Sequence, residues 1–263
     1  MRLAVALLFH ECDGWLGRLV INRLKQIMKR QNFTNLEQYI NYVKNDKSGD
    51  AMGELANRIT TNHTYFNREN LHFNFFEKTV LPDICDQVAR RKEKKDLRVW
   101  CAGCSSGEEA YTLMGTILNF FSEKPAQWDL GLLATDISKV VLNLARAGQY
   151  PIPEIKKLDS RLWPYFNKQG LHGIASDKLK KEITFRRFNL VNNNYPFKKK
   201  FHCIFCRNVM IYFDQNSRRD QIKRFYDNLH IGAYLFIGHS ETIPTDDNPG
   251  FEHLGTSIYR KVE

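Results

Sequence analysis

Long apolar runs, a dense set of cysteines and low-complexity tracts are all missing from this chain of 263 residues. No stretch approaches the roughly 20 apolar residues of a membrane-spanning helix, so a helical membrane protein is excluded. Leu3 to Phe9 is a short apolar run that meets His10-Glu11 without a small-residue cleavage site, so it is not read as a signal peptide. Six cysteines are too few for a disulfide scaffold. Two pairs, Cys101/Cys104 and Cys203/Cys206, have CxxC spacing. Each starts inside a strand-like run rather than on the turn that a zinc knuckle favours, so reduced, partly buried thiols and a cytoplasmic protein are expected. Acidic residues are the scarcer sign, 29 against 39 basic, for a net charge of +10. That balance favours an acidic partner, or serves solubility alone. The basic residues form short clusters, Arg90-Arg91-Lys92 with Lys94-Lys95, and Lys198-Lys199-Lys200. Neither is interleaved with aromatics as a single-strand nucleic-acid groove is.

What is present is ordinary globular material. Hydrophobic residues at 43% and charged residues at 26% exclude wholesale disorder, collagen and coiled coil. Residues 15–57 carry helical periodicity, first through Leu16, Leu19, Val20, Leu24 and Ile27. Asn35 is placed to cap a second helix through Leu36, Tyr39, Ile40 and Val43. A third short helix is expected from Ala51 to Ile59 after a polar break. From about Asp96 strands and helices alternate, which implies a mainly parallel sheet with helices on both faces. The expected strands are 97–101, 130–135, 201–206, 233–238 and 256–260. The stretch 150–190, rich in Pro and Gly turns, reads as an inserted subdomain that includes a strand-like Ile183 to Phe188.

The strongest chemical signal is Val99 to Glu109, where a strand runs into a small-residue turn and then a helix opening on two glutamates. In such sheets ligands bind at the carboxyl ends of the strands, and small residues let a ligand approach the backbone. A phosphate loop would continue with Gly-Lys-Ser/Thr, and the GxGxxG dinucleotide pattern is absent. Glu108 and Glu109 instead suit a ligand with a cationic end, such as S-adenosylmethionine, or merely complement the helix dipole. Asp136 ends the second strand, where it can accept ribose hydroxyls or cap the next helix. Arg207, Asn208 and Tyr212 follow the strand 201–206 and open onto the same edge. Residues 60–69 and His72 form a polar segment suited to a lid. His63 and His72 lack a carboxylate–histidine cluster at ligand spacing, so no metal is expected.

These motifs resemble the CheR-type chemoreceptor glutamate methyltransferases. The stretches that carry the likeness are TNHTYFNRE (61–69), AGCSSGEEAY (102–111), ATDIS (134–138), GQYP (148–151), FCRNVMIYFD (205–214) and FIGHSE (236–241). The resemblance implies an α/β class I Rossmann-like methyltransferase with a small N-terminal helical domain and a small β insertion. It divides the chain into a receptor-docking domain (1–59), a linker and cofactor lid (60–95) and a methyltransferase domain (96–263). It implies S-adenosylmethionine as cofactor, S-adenosylhomocysteine as product, and glutamates on the cytoplasmic helical bundle of chemoreceptors as substrate. Carried over position by position, the cofactor residues are Asn62, Thr64, Arg68, Gly103, Glu109, Asp136, Asn189, Leu190, Arg207 and Asn208. Arg68 and Tyr212 are the residues implied to reach the reacting carboxylate and methyl group. A monomer without nucleic-acid partner or membrane insertion is expected.

Three departures stand against the pattern. Asn67 occupies a position where the family commonly has a second aromatic, Ala110 one where it often has Pro, and Met1 to Trp15 does not resemble its first helix. Two other readings share the fold. One is a nucleic-acid methyltransferase, although no RNA-binding module or NPPY tetrapeptide is visible. The other is a non-catalytic S-adenosylmethionine-binding sensor or scaffold.

Overall fold

A computed structural model describes residues 15–59, 63–122, 128–192 and 194–262. Three N-terminal helices, α1 (Trp15–Arg30), α2 (Leu36–Asn45) and α3 (Asp50–Ile59), share a small core of their own. Leu24 and Ile27 of α1 meet Tyr39, Val43, Ala51 and Leu55, as the helical spacing requires. Asn35 caps α2 by accepting the Gln38 N–H at 2.9 Å. The segment before Trp15 lies outside the described residues.

The main sheet has seven strands in the order β6-β2-β1-β7-β8-β10-β9. The strands are β1 (Asp96–Ala102), β2 (Asp129–Asp136), β6 (Ile183–Arg187), β7 (Phe201–Cys206), β8 (Leu229–Ile237), β9 (Phe251–Gly255) and β10 (Ile258–Lys261). β6, β2, β1, β7 and β8 are parallel, and β10 and β9 add antiparallel pairing at one edge. Period-two alternation divides their side chains between two cores. Leu97, Val99, Cys101, Cys203, Phe205, Tyr234 and Phe236 face one side, and Trp100, Ala102, Ile204, Cys206, Leu235 and Ile237 face the other. Both faces are covered at the centre of the sheet, so β1, β7 and β8 are buried along most of their length.

Two sequence boundaries change. The stretch expected as linker and lid, 60–95, is largely structural. It forms α4 (Asn70–Phe75), a π-helical turn (Phe76–Val80) and α5 (Leu81–Arg91). Phe73, Phe76, Val80, Leu81, Ile84 and Val88 from it line the first core. Aromatic density, which local periodicity treats as loop or helix alike, made it a covering layer of the sheet. The strand at 183–187 is likewise not part of the insertion. It pairs in parallel with β2, Leu132 opposite Ile183 through Asp136 opposite Arg187, as the edge of the main sheet. The insertion itself is the three-stranded antiparallel sheet of β3 (Gln149–Pro151), β5 (His172–Ala175) and β4 (Phe166–Gln169).

Cys101, Cys104, Cys203 and Cys206 are free and fully buried, and burial pushes their thiols up. Cys203 and Cys206 belong to opposite cores, so their spacing does not bring them to one ion. Among the described residues no helix is long and apolar enough to cross a membrane.

Arg187, at the end of β6, ties the helical unit to the sheet. Its guanidinium donates to Asp50 Oδ1 at 2.6 Å, to the Ser48 carbonyl at 2.9 Å and to the Gly49 carbonyl, while Nε holds the Ile137 carbonyl at 2.9 Å. A Cβ at Gly53 would stand 2.9 Å from Arg187 Nη2 and 3.2 Å from the Ile137 carbonyl, so a side chain there would press on the Arg187 anchor. Charge-assisted bonds to carbonyls are worth about 1.5–3 kcal/mol each, less where water reaches them. Arg187→Ala is expected to lower the unfolding free energy by about 2 kcal/mol and to open the 46–49 turn to proteolysis. An unchanged melting curve and digestion pattern would contradict this anchoring role.

Candidate active site

The site forms where β1, β2 and β7 end. The turn after β1 is tied to β2, with the Gly103 and Cys104 N–H groups both reaching the Thr135 carbonyl, at 2.8 and 2.9 Å. Gly103 has φ 90°, and a Cβ there would lie 2.4 Å from Val209 Cγ2. Gly107 has φ 101°, with Tyr150 Oη 2.8 Å and Ala145 Cβ 2.9 Å from where its Cβ would be. Only glycine meets both demands at these two positions. The turn then opens into α6 (Glu108–Ser122), with Glu108 braced by Ser106 Oγ at 2.8 Å. Burial raises the Glu108 carboxyl above its ordinary range.

Asp136 sits at the end of β2. Its Oδ2 accepts the Ser105 N–H and its Oδ1 the Ser138 N–H, each at 2.9 Å. Burial raises its pKa against these bonds. The cap of the following helix, α7 (Lys139–Ala147), is Ser138, whose Oγ accepts the Val141 N–H at 3.3 Å. Asp136 is therefore not that helix's cap. A carboxylate has about four acceptor sites, so Asp136 keeps acceptor capacity beyond these bonds.

The third strand end carries a buried guanidinium. The Arg207 side chain is 1% exposed. Its Nη1 donates to Glu109 Oε2 at 2.9 Å, and its Nη2 and Nε donate to Glu69 Oε2 at 3.0 and 3.2 Å. Nη2 also reaches the Arg68 carbonyl. Its face stacks over the Phe73 ring at 5.1 Å. Burial pushes the Glu69 carboxyl up, but the Arg207 charge and the Asn208 bond hold it below its usual range. Glu69 (φ 55°) and Asn67 (φ 60°) both lie in the left-handed region. Asn tolerates that conformation better than most residues, which gives Asn67 a local role where an aromatic ring was expected.

A cavity of about 300 Å³ opens between these strand ends. Of the residues singled out in the sequence, Thr64, Arg68, Gly103, Glu109 and Asp136 line it. So do Asn189, Leu190, Arg207, Asn208 and Tyr212. Asn62 lies outside the described residues. Arg68 donates to the His63 carbonyl at 2.8 Å and packs 6.0 Å from the Tyr65 ring centre.

Residues 62–260 match the family model described as CheR methyltransferase, SAM binding domain. The chain belongs to the CheR methyltransferase family. It is 39% identical to the chemotaxis protein methyltransferase of Borreliella burgdorferi over 249 residues, 92% of this chain and 86% of that one. It is 33% identical to a probable chemotaxis protein methyltransferase of Rhizobium etli, over 92% of this chain and 90% of that one. It is also 33% identical to the chemotaxis protein methyltransferase of Escherichia coli, over 91% of this chain and 80% of that one. It is an S-adenosylmethionine-dependent protein-glutamate O-methyltransferase that acts on chemoreceptors.

Two features of this CheR site escaped the sequence reading. Glu241, in the GHSE stretch, is buried and accepts the backbone N–H groups of Gly238, Asn208 and Ile211 at 2.6, 2.9 and 3.0 Å. It shapes the loop that carries Asn208 (φ 57°) and leads to Tyr212. Burial raises its pKa. The second is a carboxylate–histidine cluster, where the sequence suggested none. Glu69, His72 and His239 place ligand-type atoms within 4.8 Å of one another. The Glu-x-x-His spacing of 69 and 72 was the available signal, since residues three apart share a helical face. The same Glu69 oxygen already accepts two Arg207 bonds, so a divalent ion there would face a fixed positive charge.

His72 is fully buried, and its Nε2 donates to the Thr256 carbonyl at 2.7 Å. Burial, then the Arg207 charge, lowers its pKa from 6.5 to about 4. A depressed folded-state value means that its contribution to stability is complete above 6.5 and is lost as pH falls toward about 4. His202 behaves alike, from 6.5 to about 4. The melting temperature is therefore expected to fall as pH drops through that window, with the fall reduced in His202→Phe. A flat profile between those pH values would contradict the neutral buried imidazoles.

Proposed function

We propose that Arg68 anchors the substrate carboxylate of a receptor glutamate and that Tyr212 fixes its approach, while Asp136, Glu109 and the Gly103 turn hold the cofactor. One observation carries this reading: Arg68 and Tyr212 line the same cavity as Gly103, Glu109 and Asp136. The donor set fits S-adenosylmethionine. Two carboxylates, Asp136 and Glu109, present acceptors to a ribose diol and an ammonium group. Ile137, Leu190 and Val191 supply apolar wall for a flat ring. When bound, the cofactor supplies an electrophilic methyl group on a sulfonium.

The chain's residues need supply no general base. A glutamate side chain has an ordinary pKa near 4.3, so at neutral pH the nucleophile is already ionised. The task is orientation, which can lower a barrier by roughly 7–11 kcal/mol. A guanidinium has five N–H donors, and Arg68 commits one to the His63 carbonyl, which fixes its stem near the cavity. A methyl ester carries no charge, so Arg68 holds the product more weakly than the substrate, which favours release.

The N-terminal helices serve receptor docking in this reading. Lys25, Lys29 and Arg30 are exposed on α1, and a basic helix is steered to acidic receptor helices. The protein acts in the cytoplasm, as a monomer, on the cytoplasmic helical bundle of the receptor.

Arg68→Ala is expected to lower turnover roughly 10- to 100-fold with S-adenosylmethionine affinity nearly unchanged, the loss of one charge-assisted contact. Tyr212→Phe should cost up to about tenfold in turnover. Steady-state kinetics on a receptor fragment, paired with cofactor titration, distinguishes the roles. An equal loss of cofactor affinity in Arg68→Ala would make it a cofactor ligand instead.

A further inference from the structure

The cysteine pair at 101 and 104 stands out in the sequence, and one of its thiols has a polar partner at the active site. Cys101 is next to last in β1 and fully buried. Its backbone lies between Ala134 of β2 and Phe205 of β7, and its side chain belongs to the core that also holds Leu97 and Val99. Its Sγ nevertheless donates to Glu109 Oε1 at 3.2 Å. The bond spans the glycine turn, from the strand before it to the helix after it. Glu109 lines the cavity, whereas Cys101 stands behind it.

The other oxygen, Glu109 Oε2, accepts Arg207 Nη1 at 2.9 Å. A carboxylate held by one oxygen can still turn about its last side-chain bond, whose torsion is broad. A donor on the second oxygen removes that freedom. The thiol does so without adding charge. A lysine or arginine in its place would cancel the negative charge that a cationic ligand needs, part of which Arg207 already offsets. Burial and the Glu109 charge push the Cys101 thiol up, so it stays protonated and able to donate. A carboxylate has about four acceptor sites, so Glu109 keeps capacity for a ligand beyond these two bonds.

We propose that Cys101 is a positioning residue for the amino-acid end of the cofactor: its thiol fixes the plane of the Glu109 carboxylate that receives the ammonium group. The proposal rests on the reading of Glu109 as the acceptor of that group. Cys101 acts through Glu109 and touches neither cofactor nor substrate. A thiol is a weak donor, so the effect is modest and confined to the part of the ligand that Glu109 meets.

Two ligands titrated calorimetrically into the full chain test this. S-adenosylhomocysteine carries the ammonium group, whereas methylthioadenosine keeps the nucleoside and sulfur but lacks the amino-acid end. Cys101→Ala and Cys101→Val both remove the donor, and valine refills most of the space. Each is expected to weaken S-adenosylhomocysteine by about 3- to 10-fold while methylthioadenosine affinity stays within about twofold. Cys101→Ser restores a neutral donor and should recover most of the loss. That pattern separates the bond from packing, which would weaken both ligands alike and would not be restored by serine. Equal losses for the two ligands, or unchanged S-adenosylhomocysteine affinity in the alanine and valine variants, overturn the proposal. Glu109→Gln distinguishes the two levels. If it weakens S-adenosylhomocysteine while the Cys101 variants do not, the proposal alone fails. If Glu109→Gln leaves that affinity intact, the reading of Glu109 fails and the proposal with it.

Discussion

Arg207 carries a positive charge almost wholly removed from water, and the active site is arranged around that fact. A buried guanidinium is tolerable only when its donors are matched, and here they are divided between carboxylates from separate parts of the chain. Glu109 comes from the helix that follows β1, and Glu69 from the segment before α4. The division fixes the two walls of the cavity relative to each other. It also holds the left-handed backbone at Glu69, a conformation that persists only where surrounding contacts over-determine it. Arg68, next in the chain, takes its place from this clamp through its own carbonyl.

Much of this was legible in the sequence because it depends on local signals. The glycine turn at 103–107, the acid ending β2 and the polar residues after β7 each declare themselves within a few positions of a strand. The alternation of apolar residues in β1 and β7 declares a sheet buried on both faces. What was not legible arises from contacts across the chain. Nothing near Arg207 in sequence says that its partners lie 98 and 138 positions away. Glu241 belongs to a recognised stretch, yet its work, receiving two backbone N–H groups of a loop some thirty residues earlier, appears only once the loop folds over it. The helices over 70–91 do not declare themselves, for a related reason. Their aromatic residues become informative only against Phe205 and Phe236, whose rings stack 4.2 Å apart beneath them.

The departure at Asn67 shows how a local substitution is absorbed. Losing a ring would weaken packing around Arg68, but Phe66 remains buried against Tyr150 and Phe166. Asn67 supplies a residue at ease with positive φ where the chain turns sharply toward Glu69.

The central claim, that Arg207 joins the Glu69 and Glu109 walls into one unit, is most directly tested by a double-mutant cycle on unfolding free energy with Glu69→Gln and Glu109→Gln. Either change alone leaves the guanidinium one carboxylate, whereas both together leave it buried without any. The double variant should therefore lose more stability than the sum of the singles, by about 1 kcal/mol or more. Additivity within about 0.5 kcal/mol would show that the two carboxylates act independently and would contradict the clamp.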